Sequence, residues 1–342
     1  MKKVLLLEPS IQQSFSLAKY LKKYSREYYV VGGLMEGDIK VPKNHYCDGF
    51  FNIDDEITNI FDKFDIIVPT GAKSTKLVLS KVKKIQIGEI PFSEDNLIVS
   101  DKVKILQIVK NLDIPIPKTI VNEDTIDIEY PIFYKEAFES GGGRRGVINC
   151  KSELQEMCQH KDLLFQEYIE SPYTFGVCFL AIDGKIISYF IHKEILSYPK
   201  SGGNGVILET YTDTRLYAYT ERILKNIKYN GWGMAEYKYC NKREDFVFME
   251  INAKFWASIE FALINNNQFM RSLFSIDYND RLENQVIYIN RLLNYPIMEF
   301  VIYMKRYYLA HWIYDRSLII RFVYKFIPTD LRCYALEKLK VR

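Results

Sequence analysis

Apolar positions in the first hundred residues fall alternately into short unbroken runs and helical stripes. Val4 to Leu7 is a continuous apolar run, the pattern of a buried strand. Phe15, Leu17, Ala18 and Leu21 follow at helical spacing. Tyr28 to Val31 reads as a second strand that ends in a turn at Gly32-Gly33. Asp65 to Val68 reads as another strand, closed by Pro69-Thr70-Gly71, and Leu77, Val78, Val82 and Ile85 suit the helix after it. Strand and helix signals in alternation predict a parallel sheet with crossover helices. No G-x-G-x-x-G follows the first strand, so the dinucleotide fingerprint is absent.

The pattern then changes. Ser100 or Asp101 can cap a helix whose apolar stripe is Val103, Leu106, Val109 and Leu112, and Pro115 and Pro117 stop it. Strand signals dominate afterwards: Pro131 to Ala137, a glycine loop at 141–143, and Leu163 to Ile169. Val177 to Ile182 and Lys185 to His192 flank Asp183-Gly184, a two-residue hairpin signal. A second hairpin joins Met234–Cys240 to Phe246–Asn252 through the polar loop Asn241–Asp245. Beyond about residue 270 the chain reads as helical, aromatic and basic.

Composition narrows the classes. With 342 residues, 48% hydrophobic and 26% charged, the chain has ordinary globular usage and enough length for a large core. A net charge of +3 is too small to imply nucleic acid. The six cysteines form no C-x-x-C pair and there are only four histidines, which argues against a zinc site and for reduced thiols in the cytoplasm. The first apolar run is too short for a signal-peptide core, and no uninterrupted apolar stretch of about 18 residues offers a membrane span.

Two constellations carry chemistry. Lys135 stands at a strand end, ahead of Gly141, Gly142 and Gly143 with Arg144 and Arg145. Glycines let backbone N–H groups approach an anion, and the cations add charge. The alternative is a flexible surface turn. The P-loop pattern G-x-x-x-x-G-K-[ST] is not met. In the second hairpin, a turn centred on Arg243 sets Glu236 opposite Glu250 and places Asn252 on the same face. Like charges directly opposed destabilise a sheet. A divalent cation between them would remove the penalty, and hard oxygen ligands suit Mg²⁺. The alternative is a solvated strand face. Phe165 to Glu170 could offer backbone groups to a base edge or be an ordinary edge strand, and His192-Lys193 through Gly202-Gly203 could be structural.

Taken in order, these segments resemble the ATP-grasp superfamily, and within it the carboxylate–amine ligases associated with bacterial cell-surface polysaccharides. The resemblance rests on Ser100-Asp101-Lys102; Tyr130-Pro131 through Lys135 and the glycine loop to Gly146; Gln166-Glu167-Tyr168-Ile169; His192-Lys193 through Gly202-Gly203; Gly231 to Glu236; and Met249 to Trp256. It implies an α/β fold, α+β overall. A parallel pre-ATP-grasp domain over 1–98 would precede a two-lobed ATP-grasp domain over 99–268 and a helical extension over 269–342. It implies that Lys102 and Lys135 bind ATP phosphates, that the 140–146 loop closes over them with Arg145, and that Gln166, Glu167, Tyr168 and Ile169 form the adenine hinge. Thr174 stands where many relatives place an acid on the ribose. Glu236, Glu250 and Asn252 would hold one or two Mg²⁺ ions, or Mn²⁺. Lys193 and Lys254 would face the γ-phosphate and the carboxylate substrate. Lysine replaces the family's usual arginine at 254, a point charge in place of a bidentate fork.

The activity so implied is an ATP-dependent carbon–nitrogen ligase: a carboxylate becomes an acyl phosphate and an amine displaces phosphate. The carboxylate would be a small molecule or linked to a glycan. Positioning and charge neutralisation are what phosphoryl transfer needs, and no Ser/His/Asp or Cys/His arrangement is evident in the sequence. The alternatives are an ATP-grasp kinase and a non-catalytic nucleotide-binding scaffold. From Arg291 onward ten basic residues face four acidic ones, a net +6, so the rest of the chain carries −3. Phe300, Tyr303, Tyr307, Tyr308, Trp312, Tyr314, Phe322, Tyr324 and Phe326 lie among those charges. This suits either helices in an anionic membrane interface, at the inner face of the membrane, or a layer packed on the ligase core.

Overall fold

A computed structural model describes residues 1–35, 44–53, 60, 62–120, 129–138, 143–200, 202–314, 317–327 and 331. The expected parallel sheet forms at the N-terminus. Strands β1 (Lys2–Leu7), β2 (Tyr28–Leu34), β3 (Gly49–Asn52) and β4 (Ile66–Val68) pair in the order β3-β2-β1-β4, all parallel. Helix α1 (Gln12–Tyr24) buries Phe15, Leu17, Ala18 and Leu21, the stripe visible in the sequence. Two local readings are corrected. Gly32 and Gly33 continue β2 instead of turning, paired with Leu6 and Leu7 on one side and Phe50 and Phe51 on the other, and a Cβ on Gly32 would lie 2.8 Å from the Phe50 ring. Ile85 leaves the helix that ends at Val82 and joins a short ribbon, β5 (Lys84–Ile87) with β6 (Ile90–Ser93).

Helix α2 (Ala72–Val82) follows β4, and α3 (Lys102–Asn111) opens the next part of the chain. Asp101 caps α3, accepting from the N–H groups of Val103 at 3.2 Å and Lys104 at 3.1 Å. The buried face of α3 is Ile105, Leu106 and Val109, whereas Val103 is exposed. A small antiparallel sheet follows in the order β7-β10-β8-β9: β7 (Thr119–Ile120), β8 (Ile132–Glu136), β9 (Arg145–Ile148) and β10 (Leu163–Glu167).

The largest sheet has seven strands in the order β15-β14-β11-β12-β13-β16-β17. Its first hairpin is β11 (Thr174–Ile182) and β12 (Lys185–Tyr198), turning at Asp183 (φ 49°) and Gly184 (φ 73°). Positive φ at both positions gives the twist-matched two-residue turn. Next come β13 (Asn204–Thr210), then β14 (Gly231–Cys240) and β15 (Asp245–Asn252). The sequence from 269 onward is not purely helical. Strands β16 (Gln285–Tyr288) and β17 (His311–Ile313) complete the large sheet, β16 pairing antiparallel with β13 through Ile207↔Ile287. The expected helical extension is therefore corrected: its middle is an integral part of the sheet, and it buries Val286, Ile287 and Tyr288. The N-terminal unit is tied to this body by Glu260, which accepts from Ser16 Oγ at 3.0 Å and pairs with Lys19 Nζ at 2.5 Å.

Candidate active site

The small sheet and the β14–β15 end of the large sheet face each other across a cleft of about 1350 Å³, which the first turn of α3 and the N-terminal unit also line. Lys135 comes from β8 and is buried. Its Nζ donates to Glu250 Oε2 at 3.2 Å and to the Met249 carbonyl at 3.1 Å. Lys102, at the capped start of α3, brings its Nζ to 3.5 Å from the same carboxylate oxygen.

Glu236 and Glu250 are register partners, as are Met234 and Asn252. The expected pairing is present, but the route to it differs. The turn is the four residues Asn241–Glu244, so Cys240 faces Asp245 and Tyr237 faces Phe248, one residue out of the expected register. A bulge between those pairs and Glu236↔Glu250 restores the register at the acids. It also accompanies a Met249 that lines the cleft and presents its carbonyl to Lys135. Bulges re-aim side chains beside functional sites in this way.

The polar chain continues: Asn252 Nδ2 donates to Glu236 Oε1 at 2.8 Å, and Lys254 Nζ donates to Asn252 Oδ1 at 2.8 Å. The environment splits the two acids. Burial raises the Glu236 carboxyl to about 8, with the negative charges of Glu250 and Glu194 adding to the rise. Burial also opposes ionisation of Glu250, yet Lys135, Lys102 and Lys254 outweigh it and hold that carboxyl at about 2. Burial lowers Lys135 despite its partner Glu250. Paired titratable groups pushed apart in this way mark functional sites more often than plain structure.

Among the described residues, no cluster of three or more His, Cys, Asp or Glu is placed to hold a metal. The donor set is two carboxylates and an amide. It fits Mg²⁺: the donors are hard oxygens, and the opposed acids leave one oxyanion unfavourable until a cation arrives.

The remaining expected residues separate into two groups. Glu167, Tyr168, Ile169 and Thr174 line the cleft, as do Gly143 and Arg145, while Gly141 and Gly142 lie outside the described residues. A Cβ on Gly143 would meet Glu136 Oε2 at 2.0 Å, so the Glu136 carboxylate packs against the glycine and would have to shift to admit a side chain. Arg144 bonds Asp162 on the exposed side, its Nη2 at 2.5 Å. Gln166 does not line the cleft; its side chain is buried and donates to Thr119 Oγ1 at 3.3 Å. Lys193 does not line the cleft either. It is ion-paired with Glu209 and lies 4.8 Å above the Tyr173 ring. Strand alternation presents its neighbour Glu194 to the cleft instead.

Glu194 stood in the His192-Lys193-Glu194 segment without a role, and among the cleft residues that the motif reading did not single out are the cations Lys238 and Arg291. Lys238 follows Glu236 by two on β14, so period-2 alternation could have found it, whereas Arg291 is 37 positions beyond Lys254 and has no local signal. Arg291 donates from Nη1 to the Gly205 carbonyl and from Nη2 to the Ala257 carbonyl at 2.7 Å, and lies 4.1 Å over the Tyr288 ring. Among the described residues no carboxylate is within ion-pair distance of it, and a guanidinium has five N–H donors, so this cleft-lining cation retains capacity for an anion.

No curated protein matches the chain. Many solved structures share its fold. A biotin carboxylase–β,γ-ATP complex from Campylobacter jejuni is 17% identical, with 83% of this chain and 74% of that one covered and a TM-score of 0.61. N5-carboxyaminoimidazole synthetase from Staphylococcus aureus, complexed with ADP, is 14% identical (82% and 79% covered, TM-score 0.62). Phosphoribosylglycinamide synthetase from Anaerococcus prevotii is 14% identical (78% and 72% covered, TM-score 0.55). The family profile for the ATP-grasp domain matches residues 99–258. That span holds Lys102, Lys135, Gln166 to Ile169, Glu236 and Glu250, so most of the residues expected at the site lie in the part of the chain that is similar to an ATP-grasp domain.

Proposed function

We propose that the chain is an ATP-dependent carboxylate–amine ligase that acts in the cytoplasm on a small-molecule or glycan-linked carboxylate, in cell-surface polysaccharide modification. The observation that carries the ligase reading is the convergence of Lys102, Lys135 and Lys254 with Glu236, Glu250 and Asn252 on one wall of the cleft. The hinge residues Glu167 to Ile169 lie at the same cleft.

Lys102 and Lys135 would hold the polyphosphate, and Glu167 to Ile169 with Thr174 would hold the nucleoside. Arg145 lines the cleft at the glycine loop and supplies further positive charge. Glu236, Glu250 and Asn252 would hold Mg²⁺, which supplies charge neutralisation on the phosphates. Lys254 and Arg291 would receive the substrate carboxylate. The guanidinium at 291 provides, from a distant part of the chain, the planar fork that lysine at 254 lacks. The carboxylate attacks the γ-phosphorus with ADP as leaving group, and an amine then displaces phosphate from the acyl phosphate. The residues named supply position and charge, which is where catalysis of phosphoryl transfer lies. The route calls for no protein nucleophile, and a Cys–His contact among the described residues agrees: Cys178 Sγ lies 3.6 Å from His192 Nδ1 inside the sheet, where burial pushes its thiol well above the ordinary range.

The test is an ADP-release screen of uronic, sialic and amino acids against an amine panel, with mass detection of products. An amide formed with ADP and phosphate in equal amounts supports the ligase. A stable phosphorylated acid without amine consumption makes the protein a kinase, and nucleotide binding without substrate-dependent ADP release makes it a scaffold.

A further inference from the structure

The C-terminal region presents an apolar face that the ligase site does not use. Helix α4 (Ile297–Arg306) packs one side, Phe300, Tyr303 and Met304, against the buried cluster of Val206, Ile207 and Leu292. No residue of α4 is itself buried. Its outer side carries two rows at i, i+4 spacing, Ile297-Val301-Lys305 and Met298-Ile302-Arg306. Both rows are apolar for two positions and end in a cation. All six of these residues are exposed, Met298 by 72%. The surface continues through Tyr308, Leu309 (81% exposed), Trp312 and Tyr314, and through Phe322 and Tyr324 of helix α5 (Ser317–Phe326). Between α4, β17 and α5 runs a groove of about 430 Å³, lined by Phe300, Val301, Met304, Trp312 and Phe322 with Lys305 at its edge. Contiguous exposed apolar surface on this scale marks an interaction site.

We infer that this face seats the protein on an anionic lipid bilayer, with α4 lying in the plane of the interface. Charge decides the occupant. The 291–342 region carries net +6 while the rest of the chain carries −3. On the face itself the exposed cations of α4 are Lys305 and Arg306, which an isologous dimer would set against their own copies, and Glu299, the one acid of α4, is already paired with Lys200 at 2.7 Å. An anionic bilayer complements both features, because the apolar rows enter the acyl boundary and Lys305 and Arg306 extend to the headgroups. Trp312, Tyr308 and Tyr314 are amphipathic rings suited to that depth. The face adjoins the cleft: Lys200 lines it, and Tyr295 donates its hydroxyl to the Ser197 carbonyl beside it. A bilayer-held substrate would therefore meet the cleft mouth. Among the described residues no helix is long and apolar enough to cross a membrane, so the contact is peripheral.

The inference stands apart from the ligase reading and is tested without turnover. Full-length protein is floated with vesicles of phosphatidylcholine containing about one-third phosphatidylglycerol, and with phosphatidylcholine alone. The wild type should float with the anionic vesicles at low salt and lose most of that binding at high salt. Val301→Glu/Ile302→Glu and Lys305→Glu/Arg306→Glu change only exposed positions, so circular dichroism and melting temperature should stay near wild type. Each double variant should weaken flotation by about tenfold or more. Equal flotation of wild type and both variants overturns the inference. So does absence of vesicle binding by a wild type that forms a dimer broken by Val301→Glu/Ile302→Glu, which would assign the face to a second copy.

Discussion

Two glutamates in one register position have opposite tasks for a proton, and the difference comes from what surrounds each. Glu250 faces Lys135 and Lys102, whereas Glu236 faces buried surroundings, Glu250 itself and the amide of Asn252. Glu250→Gln keeps an acceptor for Lys135 but removes the countercharge. It should cost about 3 kcal/mol of stability and abolish Mg-ATP turnover with an unchanged circular dichroism spectrum. Wild-type ADP release from this variant at saturating Mg²⁺ would sink the metal assignment. Glu236 has a folded-state carboxyl raised to about 8 from an ordinary 4.5. Its contribution to folding stability is therefore present below about pH 4.5 and lost as pH rises toward 8. Glu236→Gln should raise the melting temperature of nucleotide-free protein at pH 8 more than at pH 5. Mg-ADP should stabilise the wild type more at pH 8 than at pH 6, and a thermal-shift series that is flat with pH would contradict this. For Arg291, Arg291→Ala should raise KM for the carboxylate by about tenfold or more and leave ATP affinity nearly unchanged, since a charge-assisted hydrogen bond to a ligand is worth about 1.5–3 kcal/mol. Steady-state kinetics on the acid found in the ADP-release screen checks it.

Elements position these residues through a few local rules. The Asp101 cap fixes the first turn of α3, and with it Lys102, whose N–H also donates to the Ala137 carbonyl at 2.9 Å. Asp101→Ala should cost about 1 kcal/mol and raise KM for ATP, as read by urea melts and kinetics. The β11–β12 turn is as constrained: a Cβ on Gly184 would sit 2.5 Å from the Leu224 carbonyl oxygen. Gly184→Ala should therefore destabilise by more than about 1 kcal/mol. The alternation and turn signals of both hairpins were legible in the sequence, and so was Asp101 as one of two candidate caps. The bulge at Met249 was not. A bulge adds one residue to a strand without altering its composition, and the Lys135 that donates to the Met249 carbonyl arrives from another sheet. The face of Lys193 was likewise set by pairing: the register Lys193↔Glu209 turns its side chain to an acid on β13.

For the molecule as a whole, the segment after 269 was read as an added helical layer, yet two of its strands finish the seven-stranded sheet. β13 buries Val206, Ile207 and Leu208 between β12 and β16. A chain ending before Gln285 would expose that edge and its apolar residues to pairing with other chains. Truncation there should yield aggregated protein by size-exclusion chromatography. A soluble, ATP-binding 1–284 fragment would show that the grasp domain folds without its sheet extension.

What the sequence by itself determined is whatever depends on neighbours along the chain. The parallel α/β start, the two hairpins and the opposed acids follow from periodicity and turn chemistry. Only the tertiary structure decided which side of a strand faces the cleft at Lys193 and Glu194, that Arg291 lines the same cavity as Lys254, and that β16 belongs to the central sheet. Those outcomes turn on contacts between segments tens to hundreds of residues apart. A charge or an apolar run carries no local mark of the partner that will neutralise or bury it.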